Sequence, residues 1–290
     1  MHSPSRFIEH ICARRHMHGH RLARALGIPA MTDFFEMPDG RRIAFRLAES
    51  TAYDKHAPTI VFLPGYMSDM AGGKATAMFD WARQQGRACL LFDYSGCGQS
   101  GGSFADGTLS RWREEVLALI DAKIEGQVVI VGSSMGGWLM LLIALDLGDR
   151  LAGMIGIAAA PDFTDWEYTE AQKEQLAAGS IVREENPYGP EPTPTHPEFF
   201  ADAQAQLLLV NEIGIAVPAC LLHGQRDADV PWQISQQLAD KLRSDAVQLT
   251  LVKDGDHRLS RPQDIALLLR TVCRAPKALP LIAVGARTAS

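Results

Sequence analysis

Apolar and polar positions along the chain fall into short blocks with two different periods. Between Thr32 and Glu49, Ile43, Phe45 and Leu47 recur at every second position after an Asp39-Gly40 turn signal, the pattern of a β-hairpin. Short apolar runs follow at Thr59 to Leu63, Ala88 to Phe92, Val128 to Val131, Met154 to Ala159, Cys220 to Leu222 and Val247 to Val252. Val128 to Val131 is a β-branched run without alternation, as in strands buried on both faces. Between them, Gly73 to Gln85, Leu109 to Ile124, the apolar stretch after Gly136, Pro231 to Arg243 and Pro262 to Arg274 read as helices. A hairpin followed by alternating strand and helix predicts an α/β fold: a mostly parallel central sheet with helices on both faces and an antiparallel start.

One interval breaks this rhythm. Residues 162–217 contain helical material, a run with Pro187, Pro190, Pro192, Pro194 and Pro197, and a second apolar segment. So long an interruption inside a compact domain predicts a small cap over a binding site. Phe163, Trp166, Tyr168, Tyr188, Phe199 and Phe200 either line a pocket beneath it or hold it to the body. The expected organisation is an N-terminal arm over 1–31, one α/β domain over 32–275 with the cap at about 162–217, and a loose tail over 276–290 containing Pro276 and Pro280.

Composition narrows the partners. With 290 residues, 47% of them hydrophobic, the chain can bury a substantial core, and a net charge of -6 creates no field that would attract nucleic acid or an anionic membrane. The cysteines, Cys12, Cys89, Cys97, Cys220 and Cys273, are odd in number and free of C-x-x-C spacing, which points to reduced thiols in a cytoplasmic compartment rather than disulfides or a zinc site. No apolar run reaches the roughly 18 residues of a membrane span. The first thirty residues set Arg6, Arg14, Arg15, Arg21 and Arg24 against the single acid Glu9, so the stretch reads as an amphipathic, mitochondrial-type targeting sequence, a poorly ordered arm, or the product of an upstream start codon ahead of Met31. Its His16-Met17-His18-Gly19-His20 tract has no partner cluster, and no metal is expected there.

The candidate chemistry centres on Gln127 to Trp138, where a β-branched strand runs into Gly132-Ser133-Ser134-Met135-Gly136 and then a helix. This is G-x-S-x-G in the strand–turn–helix context of a nucleophile elbow, with Ser134 at the apex. A serine hydroxyl needs a base, and the base needs an orienting acid. Asp227 follows the strand ending near Leu222 and His257 follows the last strand, each at a strand's carboxyl end, where open parallel sheets bind ligands. Asp229 is a competing acid; His223 precedes the acid and reads as structural; Asp254 and Asp256 brace the His257 loop. The oxyanion donors are expected to be the backbone N–H groups of Met135 and Tyr66. A second match, Gly98 to Gly102, overlaps a dinucleotide-type G-x-G-x-x-G over Gly96 to Gly101. Neither opens directly into a helix, so Ser100 and nucleotide binding are set aside.

Pro64-Gly65-Tyr66, Phe92 to Ser100, Gly132 to Leu141, Leu221 to Gly224 with Asp227 and Val230-Pro231-Trp232, and Asp256-His257-Arg258 together resemble the α/β-hydrolase superfamily. Within it, they resemble the branch of acyl-protein thioesterases and acyl-glucuronide esterases with its bacterial relatives, over approximately Thr32 to Arg274. The resemblance implies Ser134, Asp227 and His257 as a triad, and hydrolysis of esters or thioesters of bulky or long acyl groups on small molecules or acylated proteins. It implies no cofactor and no metal. Of the competing readings, a prolyl-oligopeptidase-like peptidase lacks its propeller repeat, a nucleotide-dependent oxidoreductase lacks its loop-to-helix context, and a non-catalytic binding protein would leave a triad position empty.

Overall fold

The computed structural model describes residues 31–51, 57–187 and 189–274; the histidine tract of the arm, Tyr188 and the tail lie outside them. In chain order, the body begins with β1 (Asp33–Glu36), β2 (Arg42–Ala48), β3 (Thr59–Leu63), α1 (Gly73–Gln84), β4 (Cys89–Phe92), a 3-10 turn at Phe104–Asp106 and α2 (Leu109–Lys123). It continues through β5 (Val128–Ser133), α3 (Met135–Leu147) and β6 (Leu151–Ile157). An insertion follows: α4 (Phe163–Trp166), α5 (Glu170–Ala177), β7 (Val182–Glu184), β8 (Thr193–Thr195) and α6 (Pro197–Gln204). The body then resumes with β9 (Ala219–Gly224), α7 (Gln233–Lys241), β10 (Val247–Val252) and α8 (Pro262–Arg274).

Eight strands form one sheet in the order β1-β2-β4-β3-β5-β6-β9-β10. β1 pairs antiparallel with β2 and β2 with β4, while every later pair is parallel. The unalternating apolar runs are explained by burial on two sides. In β3, Val61 and Leu63 enter one core cluster with Trp112 and Leu119 of α2 and Leu139 of α3. Ile60 and Phe62 enter the other with Met78 and Phe79 of α1 and Leu268 of α8. β5 splits in the same way, Val128 and Ile130 against Val129 and Val131. The period-two geometry sends successive side chains to opposite faces, and both faces are covered.

α3 is buried around nearly its whole circumference, Met135 to Ala144 without interruption, as a helix apolar on all sides requires. Strand β6 differs from the sequence reading: it starts at Leu151 and stops at Ile157, because Ala158 turns to φ 43°. The insertion differs more. It contains a two-stranded antiparallel sheet of β7 and β8 that hydrophobic pattern alone did not predict, each strand being only 3 residues long. Such pieces are too short to show a period. The insertion is tied to the body where the Trp138 indole N–H donates to the Gln206 carbonyl at 3.2 Å, and its two ends are held together where the Asp162 carboxylate accepts the backbone N–H groups of Leu208 and Leu209 at 2.9 and 2.7 Å.

Candidate active site

Ser134 stands between the last residue of β5 and the first of α3, at φ 54° and ψ -124°. A non-glycine residue in that region costs on the order of 1–3 kcal/mol and persists only when its surroundings over-determine it. Here they do: its N–H donates to Ile157 O at 2.9 Å, and its carbonyl accepts from Gly137 N and Ala160 N at 2.8 and 3.1 Å. The flanking glycines make the turn possible. A β-carbon on Gly132 would lie 2.3 Å from the Gly136 carbonyl oxygen, and one on Gly136 would lie 2.3 Å from that of Leu63.

Two loops deliver partners to the serine. His257, after β10, places Nε2 3.1 Å from Ser134 Oγ and Nδ1 2.9 Å from Asp227 Oδ2. The side chain of Asp227, after β9, is fully buried, and its other oxygen Oδ1 accepts the N–H groups of Asp229 and Val230 at 2.9 and 2.8 Å. Burial pushes the Asp227 carboxyl up, but hydrogen bonds from His223 and His257, with the Val230 N–H, outweigh it and hold the group well below the usual carboxylate range. Asp229 lies nearby and borders the cavity, yet its backbone serves Asp227 and the imidazole N–H is bonded to Asp227. Asp227, Asp229 and His257 bring potential ligand atoms within 4.8 Å of one another, but the Asp227 and His257 atoms are already hydrogen-bonded to each other, an arrangement that suits proton transfer rather than a cation.

The His257 loop is braced as the sequence suggests. Asp256 accepts the Leu259 N–H at 2.9 Å, and Asp254 pairs with Arg261 at 2.7 Å. Lys74, at the start of α1, donates to the Arg258 carbonyl, and burial together with the Arg258 charge brings its ammonium down to about 8.

Above Ser134 lies a cavity of about 520 Å³. Tyr66 and Met135 border it beside the serine; Met135 is the first residue of α3, so its N–H has no intrahelical acceptor. Gly65 is so close that a β-carbon there would lie 3.3 Å from Ser134 Cβ. The Tyr66 hydroxyl donates to Pro194 O of β8 at 3.0 Å, joining the loop after β3 to the insertion. Of the described aromatic residues of the insertion, Phe163 and Tyr168 border the cavity. The others serve adhesion: Phe199 packs on Tyr66 and Phe163 with centroids 5.0 and 5.8 Å apart, Phe200 lies 6.3 Å from Tyr168, and the Trp166 N–H donates to Pro161 O at 2.8 Å.

The second G-x-S-x-G match is a brace. Ser100 Oγ accepts the Ala44 N–H at 2.8 Å and donates to Asp93 O at 2.7 Å, while the Asp93 carboxylate accepts Gln99 N and Met70 N at 2.8 and 2.7 Å. The loop thus closes on itself and steadies the segment that carries Tyr66. The residue whose placement the sequence did not foresee is His223. It is fully buried and brings Nε2 3.1 Å from Asp227 Oδ2, a contact with no signal beyond its position four residues before the acid.

A strand–serine–helix elbow in a largely parallel sheet, with an aspartate and a histidine on loops after two later strands, defines the α/β-hydrolase class. The chain belongs to the alpha/beta hydrolase family, whose model matches residues 60–267. It is 40% identical over 221 residues to "Palmitoyl-protein thioesterase ABHD10, mitochondrial" of Mus musculus, covering 74% of each chain. Among solved structures, a putative hydrolase from Agrobacterium vitis S4 is 39% identical with a TM-score of 0.78, covering 84% of this chain and 98% of that one. Mouse alpha/beta hydrolase domain-containing protein 10 follows at 34% identity and a TM-score of 0.77, covering 84% and 97%.

Proposed function

We propose that this hydrolase cleaves carboxylic esters and thioesters through an acyl-enzyme on Ser134, with His257 as general base and acid and Asp227 as the orienting carboxylate. The observation that carries this reading is the unbroken hydrogen-bonded line from Ser134 Oγ to His257 Nε2 and from His257 Nδ1 to Asp227 Oδ2. His257 accepts the serine proton as Oγ attacks the substrate carbonyl carbon, and the imidazolium then protonates the leaving alkoxide or thiolate. A water activated by the same imidazole attacks the acyl carbon, and the proton returns to Oγ. The Met135 and Tyr66 main-chain N–H groups receive the developing oxyanion, a contribution of roughly 3 to 4 kcal/mol for each such donor.

The substrate class comes from the relatives. The name of the mouse relative specifies palmitoyl-protein thioesterase, and the proposed substrates here are long-chain acyl thioesters and related bulky esters, including acyl glucuronides, on small molecules or acylated proteins. Residues 162–217 act as a cap, with Phe163 and Tyr168 as its contribution to the acyl site. The word mitochondrial in the relative's name favours the targeting reading of the Arg-rich arm over the cytoplasmic one. No described helix is long and apolar enough to cross a membrane.

The test is Ser134→Ala, assayed on p-nitrophenyl and thioester substrates of graded chain length and by a fluorophosphonate probe. Loss of both hydrolysis and labelling with the fold retained is expected. Undiminished labelling would remove Ser134 from the mechanism.

A further inference from the structure

Asp227 Oδ2 serves two imidazoles. His257 Nδ1 reaches it at 2.9 Å from the substrate side, and His223 Nε2 reaches it at 3.1 Å from inside the body. His223 lies in β9, has no exposed surface, and is held on both ring nitrogens: Nε2 also faces Val230 O at 3.0 Å, and Nδ1 is 2.7 Å from the hydroxyl of Ser235 in α7, itself 1% exposed. The tautomer follows from the partners. A carboxylate and a carbonyl can only accept, so Nε2 carries the proton; Nδ1 is then the acceptor, and the Ser235 hydroxyl donates to it.

We propose that His223, its tautomer set by the Asp227 carboxylate and the Val230 carbonyl and its ring anchored by Ser235, is a positioning residue for catalysis: it donates to Asp227 Oδ2 and so fixes the direction and strength of the carboxylate's hold on His257. With Oδ1 taken by the Asp229 and Val230 N–H groups, the two histidines complete four donors around one buried carboxylate. No oxygen is left free to rotate toward another partner. The charge that steadies the imidazolium is shared with a second donor, which weakens its pull on the His257 proton. Removing His223 would therefore loosen the carboxylate and leave more of its negative charge on His257. The acid limb of the kcat/KM profile should move to higher pH, because the less shared carboxylate then holds the imidazolium proton more tightly and His257 becomes a free base only at higher pH. The other charged groups facing His257, namely Asp229 of the Asp227 loop and Glu167 of the insertion, with Lys74, Asp256 and Arg258 beside its loop, stay in place in these variants, so a displacement of the limb is assigned to His223.

The inference rests on the triad reading, and the experiment keeps the two apart by counting active sites with a fluorophosphonate in every protein. If the unaltered protein is not labelled, the triad reading falls first. With labelling intact, His223→Leu is expected to lower kcat per titrated site roughly 10- to 100-fold, the range for outer partners of functional ligands, and to raise the acid limb. His223→Gln, which retains an N–H near the Nε2 position, should recover most of the rate and the limb. Ser235→Ala should shift both in the same direction by less. Leu and Gln variants equally active per site, with an unmoved acid limb, would reduce His223 to packing and overturn the proposal. Should the Leu variant fail to fold, an unmoved limb in both the Gln and the Ser235→Ala proteins, with kcat in Ser235→Ala unchanged, would overturn it as well.

Discussion

Gly136 and Leu63 are in main-chain contact: a β-carbon on the glycine would stand 2.3 Å from the Leu63 carbonyl oxygen. The first turn of α3 is thereby pressed against the end of β3, and the loop after β3 is brought alongside Ser134. Because the obstacle is backbone, it cannot swing away. Gly136→Ala is expected to destabilise by about 3 kcal/mol, the upper end for overpacking, measured by urea unfolding. It should also slow hydrolysis in the molecules that fold, since Ser134 and the loop after β3 move apart.

The two G-x-S-x-G matches separate by substitution. Ser100→Ala removes the acceptor of the Ala44 N–H and the donor to Asp93 O. The expected cost is about 1–3 kcal/mol of stability, that of stranding part-buried polar groups. Fluorophosphonate labelling per folded molecule should be unchanged, which a thermal melt run beside the labelling assay would reveal.

The orienting acid can be chosen by amide replacement. Asp227→Asn offers His257 a group that can present the wrong tautomer, and kcat is expected to fall on the order of 10⁴-fold. Asp229→Asn retains the backbone N–H that bonds Asp227 Oδ1, so a loss of less than about tenfold, or roughly 1.4 kcal/mol of barrier, is expected. Steady-state kinetics on one activated ester compares them.

The same carboxylate has a pH signature in stability. Its folded value lies below its unfolded one, near 3.9, so its contribution is complete above the unfolded value and is lost as the pH falls through the folded one. The difference in Tm between the unaltered protein and Asp227→Asn should therefore be largest near neutral pH and shrink below about pH 4. A difference that grows on acidification would contradict the depressed value.

The insertion's aromatics divide into two kinds. Phe163 borders the cavity, so Phe163→Leu is expected to change the preferred acyl length across a series of p-nitrophenyl esters. Phe199 packs on Tyr66, Trp112 and Phe163 instead. Phe199→Leu should lower stability by about 0.5–3 kcal/mol with the shape of the chain-length profile retained.

Much of the body was legible because its causes are local. β3, β10 and α8 begin and end where the sequence places them, since Pro58 and Pro64 bound β3, Asp254-Gly255 follows β10 closely and Pro262 opens α8. The elbow was equally legible from its G-x-S-x-G spacing, although only the demand at Gly132, which faces the Gly136 backbone, is local; the obstacle at Gly136 is Leu63 of β3. The insertion was not: β7 and β8 are held by pairing with each other and by contacts such as Tyr66 hydroxyl to Pro194 O, which no short window contains.

By itself, then, the sequence determined the alternating strand and helix order, the turn that exposes Ser134, and the placement of Asp227 and His257 after later strands, because periodicity and turn sterics act between neighbours. The sequence also favoured Asp227 over Asp229 and set Ser100 aside as a nucleophile. Tertiary structure supplied the His257 to Asp227 hydrogen bond and alone decided that His223 shares that oxygen, what Ser100 holds together, and which aromatics border the cavity. Those outcomes depend on rotamers and on distances between residues far apart in the chain, 123 positions in the case of Ser134 and His257, and only the packed sheet sets them.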